Sequence, residues 1–221
     1  MMAMQQSESR LVIEMVSDVV CPWCFIGKRR LESALRLFQE RFPDLQKPVV
    51  RWLPFQLNPD LPEEGVARED YILRKFGPGG TGHYAHVGNV GKEAGIDFAF
   101  DDITVQPNTV NAHRLILNGA RLGREDEVIE SLFRAYFQEG AVLSDTSVLA
   151  AIGERAGLDR AELEVYLASD EDRDSVLAGD REARNSGVSG VPFFIFNRRI
   201  AASGAQEPET LVGAMMEALK V

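Results

Sequence analysis

"DVVCPWCFIGKRRLESAL" (Asp18–Leu35) holds the only two cysteines of this 221-residue chain, Cys21 and Cys24. A pair separated by two residues can be a metal clip, a haem anchor, a crosslink or a redox couple. The residues on either side narrow the choice. Before it runs "LVIEMV" (Leu11–Val16), a nearly continuous apolar stretch rich in branched side chains, as expected of a strand buried on both faces. After it, Phe25–Phe42 changes to helical spacing. Ile26, Leu31, Ala34, Leu35 and Phe38 share one face, with Lys28, Arg29, Glu32, Arg36 and Gln39 on what reads as the solvated one. The cysteines therefore sit where a buried strand hands over to an amphipathic helix.

Working outward, Pro43 ends that helix, and "PVVRWLPFQL" (Pro48–Leu57) reads as a second strand. Strand, helix, strand is a parallel crossover unit. From about Asn58 to Gly187 the pattern is helical. The spacing predicts helices over Pro107–Gly123, Arg124–Gly140, Ser144–Gly157, from Asp159 onward and over Glu171–Asn185. Gly77–Gly82 ("GPGGTG") reads as a turn without the strand-then-helix setting of a phosphate loop. Strand grammar returns with "VPFFIFN" (Val191–Asn197) and "IAASG" (Ile200–Gly204), and an amphipathic helix, Pro208–Leu219, closes the chain. A helical block of roughly 120 residues exceeds any loop, so it reads as a subdomain inserted into an α/β host. The expected division is 10–60 with 188–221 as the host and 61–187 as the insert.

Composition excludes other classes. The net charge of −10 opposes binding to nucleic acid or to an anionic membrane. No apolar run approaches the roughly 18–20 residues of a membrane-spanning helix. The first residues, "MMAMQQSESRLVIEMVSD", lack a basic segment followed by an apolar one, so the expected setting is the cytoplasm. In a reducing compartment an isolated cysteine pair points to metal or redox chemistry.

Haem attachment would need histidine after Cys24, where Phe25 stands. Structural zinc needs four ligands. His83 and His86 would complete the set only at a distance outside zinc-finger spacing, from a stretch, "GTGHYAHVGN", that reads as a loop; no metal is expected. For redox chemistry the position is apt. At a helix N-terminus the unpaired amides and the dipole favour a thiolate on Cys21, and Pro22 suits the first helical position. The dipole supplies about 0.3–1 kcal/mol, whereas bringing a thiol from ~8.5 into the ~3.5–7 range takes about 2–7 kcal/mol. Hydrogen bonds from the Trp23 and Cys24 amides and from the Cys24 thiol are expected to supply the rest. Cys21 is then the nucleophile and Cys24 the resolving thiol.

"SDVVCPWCFIGKRRLE" together with "SGVSGVPFFIFNRRIAASGAQ" resembles the DsbA-like thioredoxin-fold oxidoreductases. "FQLNPDLPEEG" and "NTVNAHRL" extend the similarity to their FrnE-like branch, which is related to 2-hydroxychromene-2-carboxylate isomerase. The resemblance implies a thioredoxin fold interrupted by a helical insertion, and a protein disulfide oxidoreductase or isomerase without a bound cofactor. It implies a cis-proline at Pro192, after Val191, facing the cysteines as a third catalytic position. Pro22, Trp23, Val191 and His113 become candidate substrate contacts, and the expected partners are thiol- or disulfide-containing proteins and peptides, with glutathione a candidate co-substrate. The alternative is a glutathione-dependent isomerase of small aromatic compounds. Glu14 reads either as a buried acid beneath the disulfide or as half of an ion pair, and Asp18 as a turn cap.

Overall fold

A computed structural model describes residues 10–79 and 82–220, so Gly80 and Thr81 of the Gly77–Gly82 turn lie outside the described residues. The first strand, β1 (Val12–Ser17), pairs in parallel with β2 (Val49–Pro54) across the helix α1 (Pro22–Arg41). A short antiparallel clip follows, β3 (Val66–Ala67) with β4 (Val105–Gln106), enclosing α2 (Arg68–Phe76) and α3 (His83–Glu93). Then come α4 (Val110–Arg121), α5 (Glu125–Glu139), α6 (Thr146–Arg155), α7 (Arg160–Ala168) and α8 (Arg173–Asn185). The chain ends in β5 (Phe193–Phe196), β6 (Ile200–Ser203) and α9 (Pro208–Leu219). The main sheet has the order β2-β1-β5-β6, with β5 antiparallel to both neighbours, so both ends of the chain build it. Among the described residues no helix is long and apolar enough to cross a membrane.

Local signals account for the helix ends. Asn108 Oδ1 accepts the Val110 N–H at 3.0 Å ahead of α4, Asp145 accepts Ser147 N–H at 2.8 Å, and Asp159 accepts Glu162 N–H at 2.9 Å. α3 differs from expectation, because the stretch carrying His83 and His86 is helical rather than a loop. Its glycines misled the sequence reading, yet one has a tertiary reason: a Cβ at Gly91 would fall 2.3 Å from the Phe98 ring.

A large apolar core runs through sheet and helices, and a smaller one, Val16, Phe55, Ala183 and Val188, lies beside it. Phe25 of α1 stacks on Phe133 of α5 with centroids 5.0 Å apart, and Phe98 and Phe137 complete the cluster. The polar face of the first turns of α1, Lys28 to Arg30, is not solvated, whereas Arg36 further along is exposed. Lys28 is only 2% exposed, with Nζ bonded to Glu32 and lying 3.1 Å from Asp126 and 3.2 Å from Glu130. Arg29 grips Glu130 through both terminal nitrogens and lies 4.8 Å over the Phe25 ring. Arg30 reaches Glu207 at 2.7 Å. The expectation of a solvated face fails because α5 brings its own carboxylates to it, and the period of one helix cannot show what packs on its polar side. The edge strand β2 is also engaged by α5: the Trp52 N–H donates to Glu125 Oε1 at 3.3 Å.

Burial opposes ionisation of Glu130, but the Arg29 hydrogen bond, Lys28 and Arg134 hold its carboxyl down at about 2, from an ordinary 4.5. A depressed carboxyl stabilises the fold above its unfolded value and loses that contribution as pH falls through the folded one. Chemical denaturation should therefore show stability falling from about pH 5 to pH 2, and Glu130→Gln should flatten that fall by about 2 kcal/mol. Gly27 lies against the loop before β5, where a Cβ would sit 2.9 Å from Pro192 Cγ and 3.4 Å from Met15 Cε. Gly27→Ala gains about 1 kcal/mol in helix propensity but overpacks at a cost of about 1–3 kcal/mol. A lowered Tm is the expected net result.

Candidate active site

Cys21 is the N-cap of α1, in extended backbone geometry (φ −95°, ψ 112°), with Pro22 at the first helical position. Its N–H donates to Asp18 O at 3.1 Å, closing the turn that redirects the chain from β1 into the helix. Both cysteines are free thiols and both are buried, Cys21 at 4% and Cys24 at 0% exposure. The Cys21 Sγ donates to the Val191 carbonyl at 3.5 Å, joining residues 170 positions apart. The Val191–Pro192 peptide bond is cis, and Pro192 O accepts the Gly204 N–H at 2.8 Å, which anchors this turn to the end of β6.

The expected amide bonds onto the Cys21 sulfur are absent: no N–H caps it, and the Cys24 N–H instead donates to the Cys21 carbonyl at 3.0 Å. The sulfur turns to the Val191 carbonyl rather than to the helix amides. The Cys24 thiol is pushed well up by burial, and further by its hydrogen bond to Cys21 and the charge there, while the Ser17 hydroxyl and the Asp18 amide pull the other way.

The remaining sequence candidates divide. Pro22 and Trp23 stand beside Cys21, half-buried, and the Trp23 ring lies 5.9 Å from the ring of His86 on α3. His113 is 4% exposed, with Nε2 3.2 Å from the Phe55 carbonyl and 3.5 Å from Asp18 Oδ1. That places it, buried, beneath the cysteine turn. Glu14 projects to the opposite side of the sheet, where it lines a groove with Ile195 and Arg198 and lies 3.5 Å from the Arg198 guanidinium. Of its two readings the ion pair is the one observed. Among the described residues no group of three or more His, Cys, Asp or Glu side chains is arranged to hold a metal.

Three neighbours escaped the sequence reading. Gly27 supports the proline turn, and a glycine inside a helical pattern was its only signal. Tyr84 of α3 is half-buried, and burial raises its phenol against the pull of the Arg68 guanidinium. Arg68 is 6% exposed, bonds Gln106 and donates to Tyr84 OH at 2.7 Å. Nothing in the local sequence marks these last two, since α2 and α3 bring them in from a glycine-rich segment.

Known proteins share this architecture. A probable DsbA oxidoreductase from Streptomyces coelicolor superposes with a TM-score of 0.85 at 29% identity, over 95% of this chain and 90% of its own. A 2-hydroxychromene-2-carboxylate isomerase superposes with a TM-score of 0.68 at 15% identity, over 93% and 95%. The cytosolic disulfide reductase DsbM from Pseudomonas aeruginosa, solved with GSH, gives 0.60 at 18% identity, over 94% and 95%. The last two show the fold alone. With the model of the family matching residues 12–216, this chain belongs to the DSBA-like thioredoxin domain family, a family of disulfide oxidoreductases.

Proposed function

We propose that this protein is a thiol–disulfide oxidoreductase working through Cys21 and Cys24. The observation that carries the reading is the position of the Cys21 sulfur, at the mouth of α1, 3.5 Å from the carbonyl of Val191 and one turn from a second free thiol. The Cys21 thiolate attacks a substrate disulfide, forming a mixed disulfide and releasing one substrate thiolate. Cys24 then attacks the Cys21 sulfur, releases the second substrate thiolate and closes the Cys21–Cys24 disulfide, so that two electrons pass to the substrate. The reverse sequence oxidises a substrate dithiol, and attack followed by release without closure isomerises. The direction is set by the potential of the pair against that of its partner pool.

Proteins or peptides carrying thiols or disulfides are the proposed substrates, held by the Val191 backbone as an added strand would be and by the half-buried Pro22 and Trp23. Glutathione is the proposed small-molecule partner in a cytoplasmic setting; DsbM, described as cytosolic and seen with GSH, supports that choice. The fold shared with 2-hydroxychromene-2-carboxylate isomerase favours one other reading, a glutathione-dependent isomerisation of a small aromatic compound. That chemistry has no step for Cys24.

Cysteine variants separate the two. In insulin reduction, Cys21→Ser should abolish turnover, and Cys24→Ser should accumulate a mixed disulfide with substrate that is visible by mass spectrometry. Reductase activity retained in Cys21→Ser overturns the redox reading, and aromatic isomerisation unaffected by Cys24→Ser establishes the alternative.

A further inference from the structure

We propose that the groove between α8 and the face of the sheet turned away from α1 binds a small amphipathic amine, an apolar stem carrying one ammonium or guanidinium group that pairs with Glu14. Side chains on a strand alternate between faces. On β1, Met15 reaches Gly27 of α1, and Glu14 and Val16 point the other way. On β5, Phe194 and Phe196 are fully buried, whereas Ile195 on the second face is half-buried. The helix α8 packs on β2, with Gly179 so close that a Cβ would fall 2.7 Å from Pro54 Cγ. Beside this contact lies a groove of about 430 Å³, floored by Val16, Leu53 and Ile195 and walled by Gly179 and Ala183. An apolar cleft of that size with a few polar groups is the ordinary form of a small-molecule site.

Charge selects the ligand. Two carboxylates, Glu14 and Glu182, line the groove against one guanidinium, that of Arg198. Glu14 is only 8% exposed, and a carboxylate taken out of water needs a close cation or several hydrogen bonds. It has neither. Arg198 Nη2 lies 3.5 Å from Glu14 Oε1, and the arginine side chain is 83% exposed. A charge-assisted bond would be shorter, about 2.7–2.9 Å. That contact is the one hydrogen bond or ion pair of the Glu14 carboxylate among the described residues, and Arg51, its register neighbour on β2, makes none with it. A cation on an apolar stem completes the pairing of Glu14 and lays its stem along Val16 and Ile195. An anion of the same shape meets two carboxylates instead.

The backbone at Arg198 is a second, independent sign. Asn197 and Arg198 form the two-residue turn between β5 and β6, closed by the Arg199 N–H donating to Phe196 O at 3.0 Å. Both are left-handed, with φ of 48° and 55°. Asparagine tolerates that conformation, and its Oδ1 accepts the Val12 N–H at 2.8 Å. The second position of such a turn favours glycine, which has no Cβ to strain it. Arginine stands there at a conformational cost, and its one ion pair among the described residues is with Glu14. Its exposed guanidinium covers the carboxylate loosely and gives way to the cation of the ligand.

The test titrates the full-length protein with n-hexylamine, and with n-hexanol and hexanoate as neutral and anionic probes of the same length, following the NMR shifts of the Ala183 and Ile195 amides. Hexylamine should move both amides with an affinity about tenfold or more above either control, the scale of a hydrogen bond between charged groups. Glu14→Gln should abolish that preference. Arg198→Gly should tighten amine binding about two- to fivefold, the size of a weak ion pair that no longer competes; a residue that only shaped the groove would change it in the other direction. Amine binding no tighter than that of hexanol or hexanoate overturns the proposal, as does a preference that survives Glu14→Gln. Unchanged or weaker amine binding in Arg198→Gly overturns it too. If Glu14→Gln fails to fold by circular dichroism, the wild-type probe series and Arg198→Gly decide.

Discussion

One contact holds the rest of the arrangement in place: the first turn of α1 against the turn that enters β5. The Cys21 sulfur lies at the Val191 carbonyl, and Gly27, less than two helical turns on, leaves room for the Pro192 ring. Each partner comes from a different end of the chain, and the contact forms only because β1 and β5 are neighbours in the sheet. The helical segment between them must leave these strands adjacent while adding its own surfaces. It does so by merging its core with theirs, through Phe25 against Phe133, and by clamping α1 with carboxylates from α5. Cysteine helix and inserted helices are thus one packed body, and the residues around the thiols come from both.

This union explains the electrostatics of the region. The cation-rich stretch after the cysteines, Lys28 to Arg30, serves to attach helices. The groups nearer the sulfurs are sparing: the carboxylate of Asp18, the imidazole of His113, the phenol of Tyr84 and, behind it, Arg68 stacked on Tyr71 and Tyr84. Burial raises Cys24 and Tyr84 alike.

The main sheet was readable because its strands carry the plainest grammar in the chain. "LVIEMV" and "VPFFIFN" are apolar enough to be buried on both faces, and they pair with each other. The later helices were readable from their caps, as at Asp145 and Asp159. Two kinds of information were not local. Gly91 lowers helix propensity in α3 for the sake of the Phe98 ring, so a helix read as a loop. The exposure of Lys28 and the orientation of His113 depend on which helix packs opposite, and a single sequence does not encode that partner in any periodicity. The motif cysteines stood out for the opposite reason: a pair at a strand-to-helix junction has few physical meanings, and proximity to Val191 then required only the fold.

The edge of the sheet at β2 has a consequence for assembly. Glu125 occupies the Trp52 amide, the kind of unsatisfied donor through which sheets recruit foreign strands. A second polypeptide zippering onto that margin would first have to evict the carboxylate, so intermolecular sheet growth there meets a built-in chaperone against fibril-like stacking.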